Sequence, residues 1–163
     1  MKEKKHYFCE RIFTYFMKMT NFSILGITVL LFAFSYQKPQ TYSLTVEVRE
    51  LQNSNGVMQF ALYNRPDGFP DEHYKTFYRK LTAAIVDASS TVIFENLPQG
   101  KYAVKILHDE DSDGKIKKRL FLPKEGIGFS NYESVGLSNR PAFDKAALDL
   151  TGDKKICIKI IYL

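Results

Sequence analysis

From Tyr42 onward, the sequence repeats short stretches in which apolar and polar residues alternate, separated by turn residues. In SLTVEV, Leu44, Val46 and Val48 fall on one face and the polar residues on the other. This period of two indicates a strand with one buried and one solvated side. NSNG supplies a turn, after which VMQFALYN places Met58 and its alternate neighbours inward. Such strands bury their apolar faces by stacking sheets, so the pattern predicts an antiparallel β-sandwich.

Further strands are predicted at LTAAIVDA, TVIFENL, KYAVKILHD, KAALDL and KICIKIIYL. The composition agrees with this interpretation. Thirteen Phe and ten Tyr without any Trp suit pleated, half-buried surfaces better than helix bundles. We therefore expect an all-β domain of about seven strands, transthyretin-like or immunoglobulin-like in architecture.

Two segments interrupt the strand pattern. Residues 65–80 set Tyr74, Phe77 and Tyr78 at helical spacing after an Asp71 cap, which predicts one short helix closing an end of the sandwich. The alternative is an exposed aromatic stripe that holds a sugar or a peptide. Residues 109–143 are too long for an ordinary strand connection. The apolar residues of this long loop, such as Phe129, predict that it packs against the domain.

The first 35 residues differ in character from the rest. NFSILGITVLLFAFS carries no charge and follows a basic segment, which predicts a secretory signal peptide in residues 1–35 with cleavage after Ser35. Residues 36–41 are then a linker, and residues 42–163 are the domain. The alternative is an N-terminal membrane anchor, although the apolar run is shorter than the roughly 20 residues that span a bilayer. Translation from Met17 or Met19 would leave a compact signal.

Export has consequences for charge, redox state and location. The predicted leader accounts for +3 of the formal charge of +5, so the mature domain is near +2 and has no concentrated basic character for binding nucleic acid. Cys9 leaves with the leader and precedes the apolar run, which argues against lipid attachment. Cys157 is then alone, so the mature chain has no internal disulfide. We expect a periplasmic, outer-membrane-associated or extracellular protein.

The segments LPQGKYAVKILHDEDSDGKI, PKEGIGFSN and RPAFDKAALDL, in this order, resemble the bacterial exported family called domain of unknown function 2141. The similarity covers residues 42–163. It implies an exported transthyretin-like or immunoglobulin-like sandwich, mainly from Gram-negative bacteria, and it assigns no catalytic residues. The chain departs from the family pattern where HDxNxNGKxD would place a final acid. Lys117 stands there, which weakens any metal site built on that carboxylate.

The acidic stretch DEDSDG contains the first half of a calcium-loop pattern. Asp109, Asp111 and Asp113 alternate before Gly114, as do the oxygen ligands at positions one, three and five of such loops, and the carbonyl of Lys115 would serve as the seventh. These residues predict a weak Ca²⁺ site.

The second half of the calcium pattern is missing. The twelfth position is Leu120, where a bidentate glutamate would belong, so Glu125 is the candidate for the remaining acidic ligand. The alternative is a solvated turn in which Lys117, Lys118 and Arg119 neutralise the acids.

A ligand-binding rim is predicted from His108, Glu125, Ser130 and Asn131. Gly126 and Gly128 are expected to adopt dihedral angles that other residues avoid. Phe129 can then turn into the core, while Ser130 and Asn131 form hydrogen bonds that hold the loop. A phosphate-binding loop is not expected here, because no helix start follows the glycines.

These observations predict an exported, non-catalytic binding or accessory module of the cell envelope. Its partner would be an envelope protein or a glycan, or it would bind calcium. A hydrolase that uses the His108 and Ser130 region is the second alternative, although no nucleophile elbow surrounds Ser130.

Overall fold

The computed structural model describes residues 38–71, 75–119, 122–136 and 138–163. The predicted signal peptide or anchor, residues 1–35, lies outside the described residues, as do Tyr74 and Leu120. Residues 40–163 form one compact unit. In the described parts of the chain, no helix combines the length and apolar character needed to cross a membrane.

The described residues form ten strands and one short helix. In chain order they are β1 Thr41–Val48, β2 Val57–Tyr63, β3 Arg79–Ala83, β4 Ser90–Pro98, β5 Gly100–Asp109, β6 Lys118–Arg119, β7 Leu122–Pro123, β8 Ile127–Phe129, α1 Phe143–Ala146, β9 Leu148–Leu150 and β10 Lys154–Cys157.

Two sheets carry the fold. One has the order β10-β1-β4, in which β1 pairs with β4 antiparallel and with β10 parallel. The other has the order β3-β2-β5-β8, all antiparallel, and β9 adds to the beginning of β5. β6 and β7 form a small hairpin within the long loop. The predicted all-β sandwich is confirmed, with one parallel pairing that the alternation pattern did not reveal.

The main core lies between the two sheets. The predicted inward face of β1 is buried, and it packs with the inward residues of β2, β4 and β5. Phe60 and Phe94 are among the largest side chains of this core, and both are almost completely buried. Burial of apolar surface on this scale is the dominant favourable contribution to the stability of the fold.

A second core covers the outer face of β2 and β5. Ala61, Tyr63 and Leu107 lie there with Phe129 and Phe143 from the long loop. Phe69 makes edge-to-face contacts with the rings of Tyr63, Phe129 and Phe143. Every residue of β5 from position 102 to 109 is therefore buried, whichever face it points to.

The short helix is not where the aromatic spacing predicted it. Among the described residues of the 65–80 segment, 75–78 are not helical and β3 begins at Arg79. The Asp71 carboxylate accepts the N–H of Lys75 and of Thr76 (2.6 Å), four and five residues ahead. A helix cap instead binds the N–H two or three residues ahead, so Asp71 closes a loop. The helix α1 includes only the first two residues of KAALDL, and the strand predicted there is confirmed in its second half as β9.

The glycines of PKEGIGFSN are required for close packing and not for unusual dihedral angles. Neither Gly126 nor Gly128 has a positive φ. A Cβ atom on Gly128 would lie 2.9 Å from the carbonyl oxygen of Lys159, because the C-terminal segment crosses β8 there. Phe129 is buried beside them, as predicted. The expected reason for the glycines was therefore wrong, although its consequence for Phe129 is confirmed.

We expect Gly128→Ala to destabilise the protein by about 1–3 kcal/mol, because the new methyl group meets backbone that cannot turn aside. Gly152→Ala is the matched control, since a Cβ there meets nothing within 4 Å, and it should change stability by less than about 1 kcal/mol. Urea unfolding of both variants measures the difference. Equal stability of the two variants would contradict the packing explanation.

Candidate functional site

The acidic loop begins where β5 ends. Asp109 is the last residue of β5 and is only 1% exposed. Beyond it the chain turns sharply, with positive φ angles at Ser112 (60°) and Gly114 (78°). Glycine adopts this conformation without steric cost, which explains the Gly that follows the three aspartates.

The Asp109 carboxylate organises the loop. Its Oδ1 accepts the N–H of Asp113 (3.1 Å), and its Oδ2 accepts the N–H of Gly114 (2.9 Å). The side-chain amide of Gln59, on β2, donates to the same Oδ2. A carboxylate buried to this degree needs such donors.

Glu125 approaches Asp109 from the other end of the long loop. Its Oε2 accepts the N–H of Lys117 (3.1 Å), and the side chain is 4% exposed. One carboxylate oxygen from each of Asp109, Asp111 and Glu125 lies within 4.8 Å of the other two. We call these three residues the carboxylate cluster. It borders a cleft of about 230 Å³, lined by Asn55, Glu110, Asp111, Lys117, Lys124 and Glu125.

Electrostatic repulsion and burial act together on Glu125. Burial raises the pKa of its carboxyl group, and the negative charges of Asp109 and Asp113 raise it further. The backbone N–H groups of Lys117 and Glu110 lower the pKa, but they do not cancel the increase. The ionised form of Glu125 therefore costs free energy in the folded protein.

A lysine side chain contacts the outer side of the cluster. The Lys117 ammonium forms ion pairs with Asp111 and with Asp113, the latter at 3.6 Å, and its side chain is about half exposed. No Lys or Arg in the described part of the chain forms an ion pair with Asp109 or Glu125. The two most buried acids therefore lack a basic partner there.

Two further calcium ligands were predicted, Asp113 and the carbonyl of Lys115. Asp113 is outside the carboxylate cluster, and its Oδ1 accepts the N–H of Lys115 (2.8 Å). The carbonyl of Lys115 remains a predicted ligand. Lys118 and Arg119 form β6, so their backbone continues away from the turn into the hairpin.

Gln59 is a component of the site that the sequence pattern did not indicate. It is 3% exposed, and its Oε1 has no hydrogen-bond partner in the described structure. The alternation of VMQFALYN assigned this residue to a solvated face. Gln59 is an interior residue because the long loop covers that face. The sequence of β2 itself does not indicate that another segment covers it.

The residues of the predicted rim, His108, Glu125, Ser130 and Asn131, form separate sets of hydrogen bonds. His108 is fully buried, and its ring nitrogens bond to the Tyr162 hydroxyl (2.8 Å) and the Asn55 carbonyl (3.0 Å). It links three chain segments inside the sandwich.

Ser130 and Asn131 instead hold the chain around α1. The Ser130 hydroxyl donates to the Ala146 carbonyl (2.6 Å) and accepts the N–H of Val104 (2.9 Å). The Asn131 amide donates to the Ala147 carbonyl (3.0 Å). Ser130 is level with Val104, four residues from His108 along β5 and therefore about 13 Å away. The pairing of His108 with Ser130 that a hydrolase would need is absent from the described residues.

A family model described as "Uncharacterized protein conserved in bacteria (DUF2141)" matches residues 46–158. The chain belongs to this family. The match extends from β1 to the end of β10, so the acidic loop, Glu125 and Gln59 all belong to the DUF2141 region. Comparisons with curated proteins and with solved structures gave no match.

The raised pKa of Glu125 makes a prediction about the DUF2141 domain without metal. Since this pKa lies above the ordinary value of 4.5, the destabilising contribution of Glu125 is absent below pH 4.5, grows as the pH rises from 4.5 to the raised value, and is fully present above it. Glu125→Gln should therefore stabilise the protein at pH 7.5 by about 1 kcal/mol, and the gain should vanish near pH 4.

Urea unfolding in the presence of chelator at both pH values measures this effect. Glu133→Gln, which changes an exposed acid elsewhere in the long loop, is the control and should be neutral. Loss of stability in Glu125→Gln at pH 7.5 would show that the carboxylate is not under strain.

Proposed function

We propose that this protein is a non-catalytic, calcium-binding β-sandwich module that acts outside the cytoplasm as a binding or accessory component of the cell envelope. The observation that carries the proposal is the carboxylate cluster. Two of its members are almost completely buried, no basic side chain of the described chain pairs with either, and all three place an oxygen within 4.8 Å of the others.

The chemistry of the cluster favours calcium. Ca²⁺ binds six to eight oxygens at about 2.3–2.6 Å, so two oxygens on one ion can be as much as about 5 Å apart. The separations within the cluster fall inside that span. The ligands come from an irregular loop and a second chain segment, which suits the flexible coordination of Ca²⁺ better than the strict octahedron of Mg²⁺.

Gln59 supports the same interpretation independently. Its Oε1 is a buried acceptor without a partner, and its amide already contacts Asp109. A cation held by Asp109 would supply a positive partner for such an oxygen, and amide carbonyls are ordinary Ca²⁺ ligands. The backbone carbonyl of Lys115 and water would complete the shell.

The loop has no bidentate glutamate at its twelfth position, so we expect the affinity of the site for calcium to be weak. Extracellular calcium modules bind with dissociation constants of about 10⁻⁴ to 10⁻³ M. A site of that strength is filled only where calcium is abundant, which is consistent with a protein that acts outside the cytoplasm.

Two of the residues considered for catalysis are engaged in structural hydrogen bonds. His108 and Ser130 each bond to partners of their own: His108 is near the end of β5, whereas Ser130 follows β8 and bonds to Val104, four residues earlier on β5. This arrangement supports a binding module over a hydrolase, because a nucleophile and its base must lie within hydrogen-bond reach.

Calcium should raise the melting temperature of the purified protein. A ligand that binds only the folded state stabilises it in proportion to the logarithm of its concentration over Kd, so 10 mM Ca²⁺ on a site of about 0.5 mM should raise the midpoint by about 4–8 °C relative to chelator. Asp111→Asn should lose most of this shift, whereas Asp144→Asn, an exposed acid on α1, should retain it.

Thermal denaturation followed by circular dichroism measures these shifts, with Mg²⁺ at the same concentration as the test of ion selectivity. An unchanged midpoint of the wild-type protein in 10 mM Ca²⁺ would end the calcium proposal.

The proposed location rests on the sequence of residues 1–35 and has its own test. Expressed in a Gram-negative host, the protein should be recovered from the periplasmic or outer-membrane fraction with its N-terminus near Tyr36, as shown by intact mass. Recovery of the unshortened chain from the cytoplasm would contradict export, and an unshortened chain in the inner membrane would favour the anchor.

A further inference from the structure

Lys117 occupies an unusual position relative to the carboxylate cluster. Its backbone N–H donates to Glu125, while its ammonium group pairs with Asp111 and Asp113. One residue therefore contacts the cluster through both its backbone and its side chain.

The ammonium competes for oxygens that an ion would need. Asp111 belongs to the carboxylate cluster and is also the closest partner of Lys117. A lysine ammonium is a compact point charge on a flexible side chain. The Lys117 ammonium can therefore move away from the aspartates while its backbone N–H still donates to Glu125. The exposure of its side chain, about one half, gives it solvent to move into.

We infer that Lys117 is a tethered counter-cation that partly fills the role of calcium in the ion-free protein and must be displaced when the ion binds. The inference rests on the proposed function, and it names the residue that sets the affinity of the site. It does not depend on the acidic residues alone: the Gln59 side chain, 3% exposed, donates to Asp109 through its amide, and its Oε1 is a buried acceptor without a partner among the described residues.

Displacement has two opposite effects. In the ion-free protein, Lys117 screens the repulsion within the cluster and so stabilises the loop. When Ca²⁺ arrives, the same ammonium must break its ion pairs and tolerate a second positive charge nearby, so it weakens binding. Removal of the side-chain charge should therefore destabilise the ion-free protein and strengthen calcium binding.

Lys101 provides a control. It is exposed near the start of β5, eight residues and roughly 26 Å from Asp109 along the strand, and it forms no ion pair with the described residues. Lys117→Met and Lys101→Met each remove one positive charge from the protein. Any difference between these variants reports on the position of the Lys117 charge beside the aspartates and not on the net charge of the protein.

Isothermal titration calorimetry and thermal denaturation of the purified wild-type protein and both variants test the inference at pH 7.5 and low salt. We expect Lys117→Met to bind Ca²⁺ about tenfold more tightly than wild type, and Lys101→Met to stay within about threefold. In chelator, Lys117→Met should melt about 2–4 °C below wild type, while in 10 mM Ca²⁺ it should melt above it.

The outcomes distinguish a failure of the inference about Lys117 from a failure of the proposed calcium binding. If the wild type binds Ca²⁺ and the two variants match each other in affinity, the inference is wrong and the proposed function stands. If only Lys117→Met binds, the inference is supported, and calcium binding by the natural chain is not. If none of the three proteins binds, both fail.

Discussion

The burial of β5 on both of its faces is the constraint on which the rest of the structure depends. One face, with Val104 and Ile106, fills the core between the sheets, and the other lies beneath the long loop. Asp109 ends this strand on the covered face, so its charge cannot reach bulk water. The polar groups around it follow from that position, since a buried carboxylate is tolerated only with donors or a cation nearby.

On the proposed function, the carboxylate cluster connects the stability of the protein with calcium binding. The long loop gains stability by packing on β5, yet the same packing brings Glu125 against Asp109 and raises its pKa. On the proposed function, a divalent cation would turn this repulsion into coordination, and its binding would relieve the strain of the ion-free protein. Functional sites commonly reduce stability in this manner. Lys117 moderates the strain at Asp111 without reaching the two buried acids.

The alternation of apolar and polar residues predicted which residues face the main core, but it did not predict which polar faces are covered by other parts of the chain. The inward residues of β1 and β2 were correct because period-two patterning depends directly on burial in the main core. The outer face of β2 was missed, since alternation says nothing about whether a distant loop covers the polar face, and Gln59 became interior for that reason. Glu125 could be named as a candidate ligand, but its distance from Asp109 required the fold. The sequence also gave no indication that the Ser130 hydroxyl donates a hydrogen bond to α1.

The most direct test of the central claim is a crystal structure of the protein grown with Ca²⁺ and analysed for anomalous scattering. The account predicts one anomalous peak at about 2.3–2.6 Å from oxygens of Asp109, Asp111 and Glu125, with the Lys117 ammonium withdrawn from Asp111. A well-ordered loop without that peak, with Lys117 still paired to Asp111 at millimolar calcium, would contradict it.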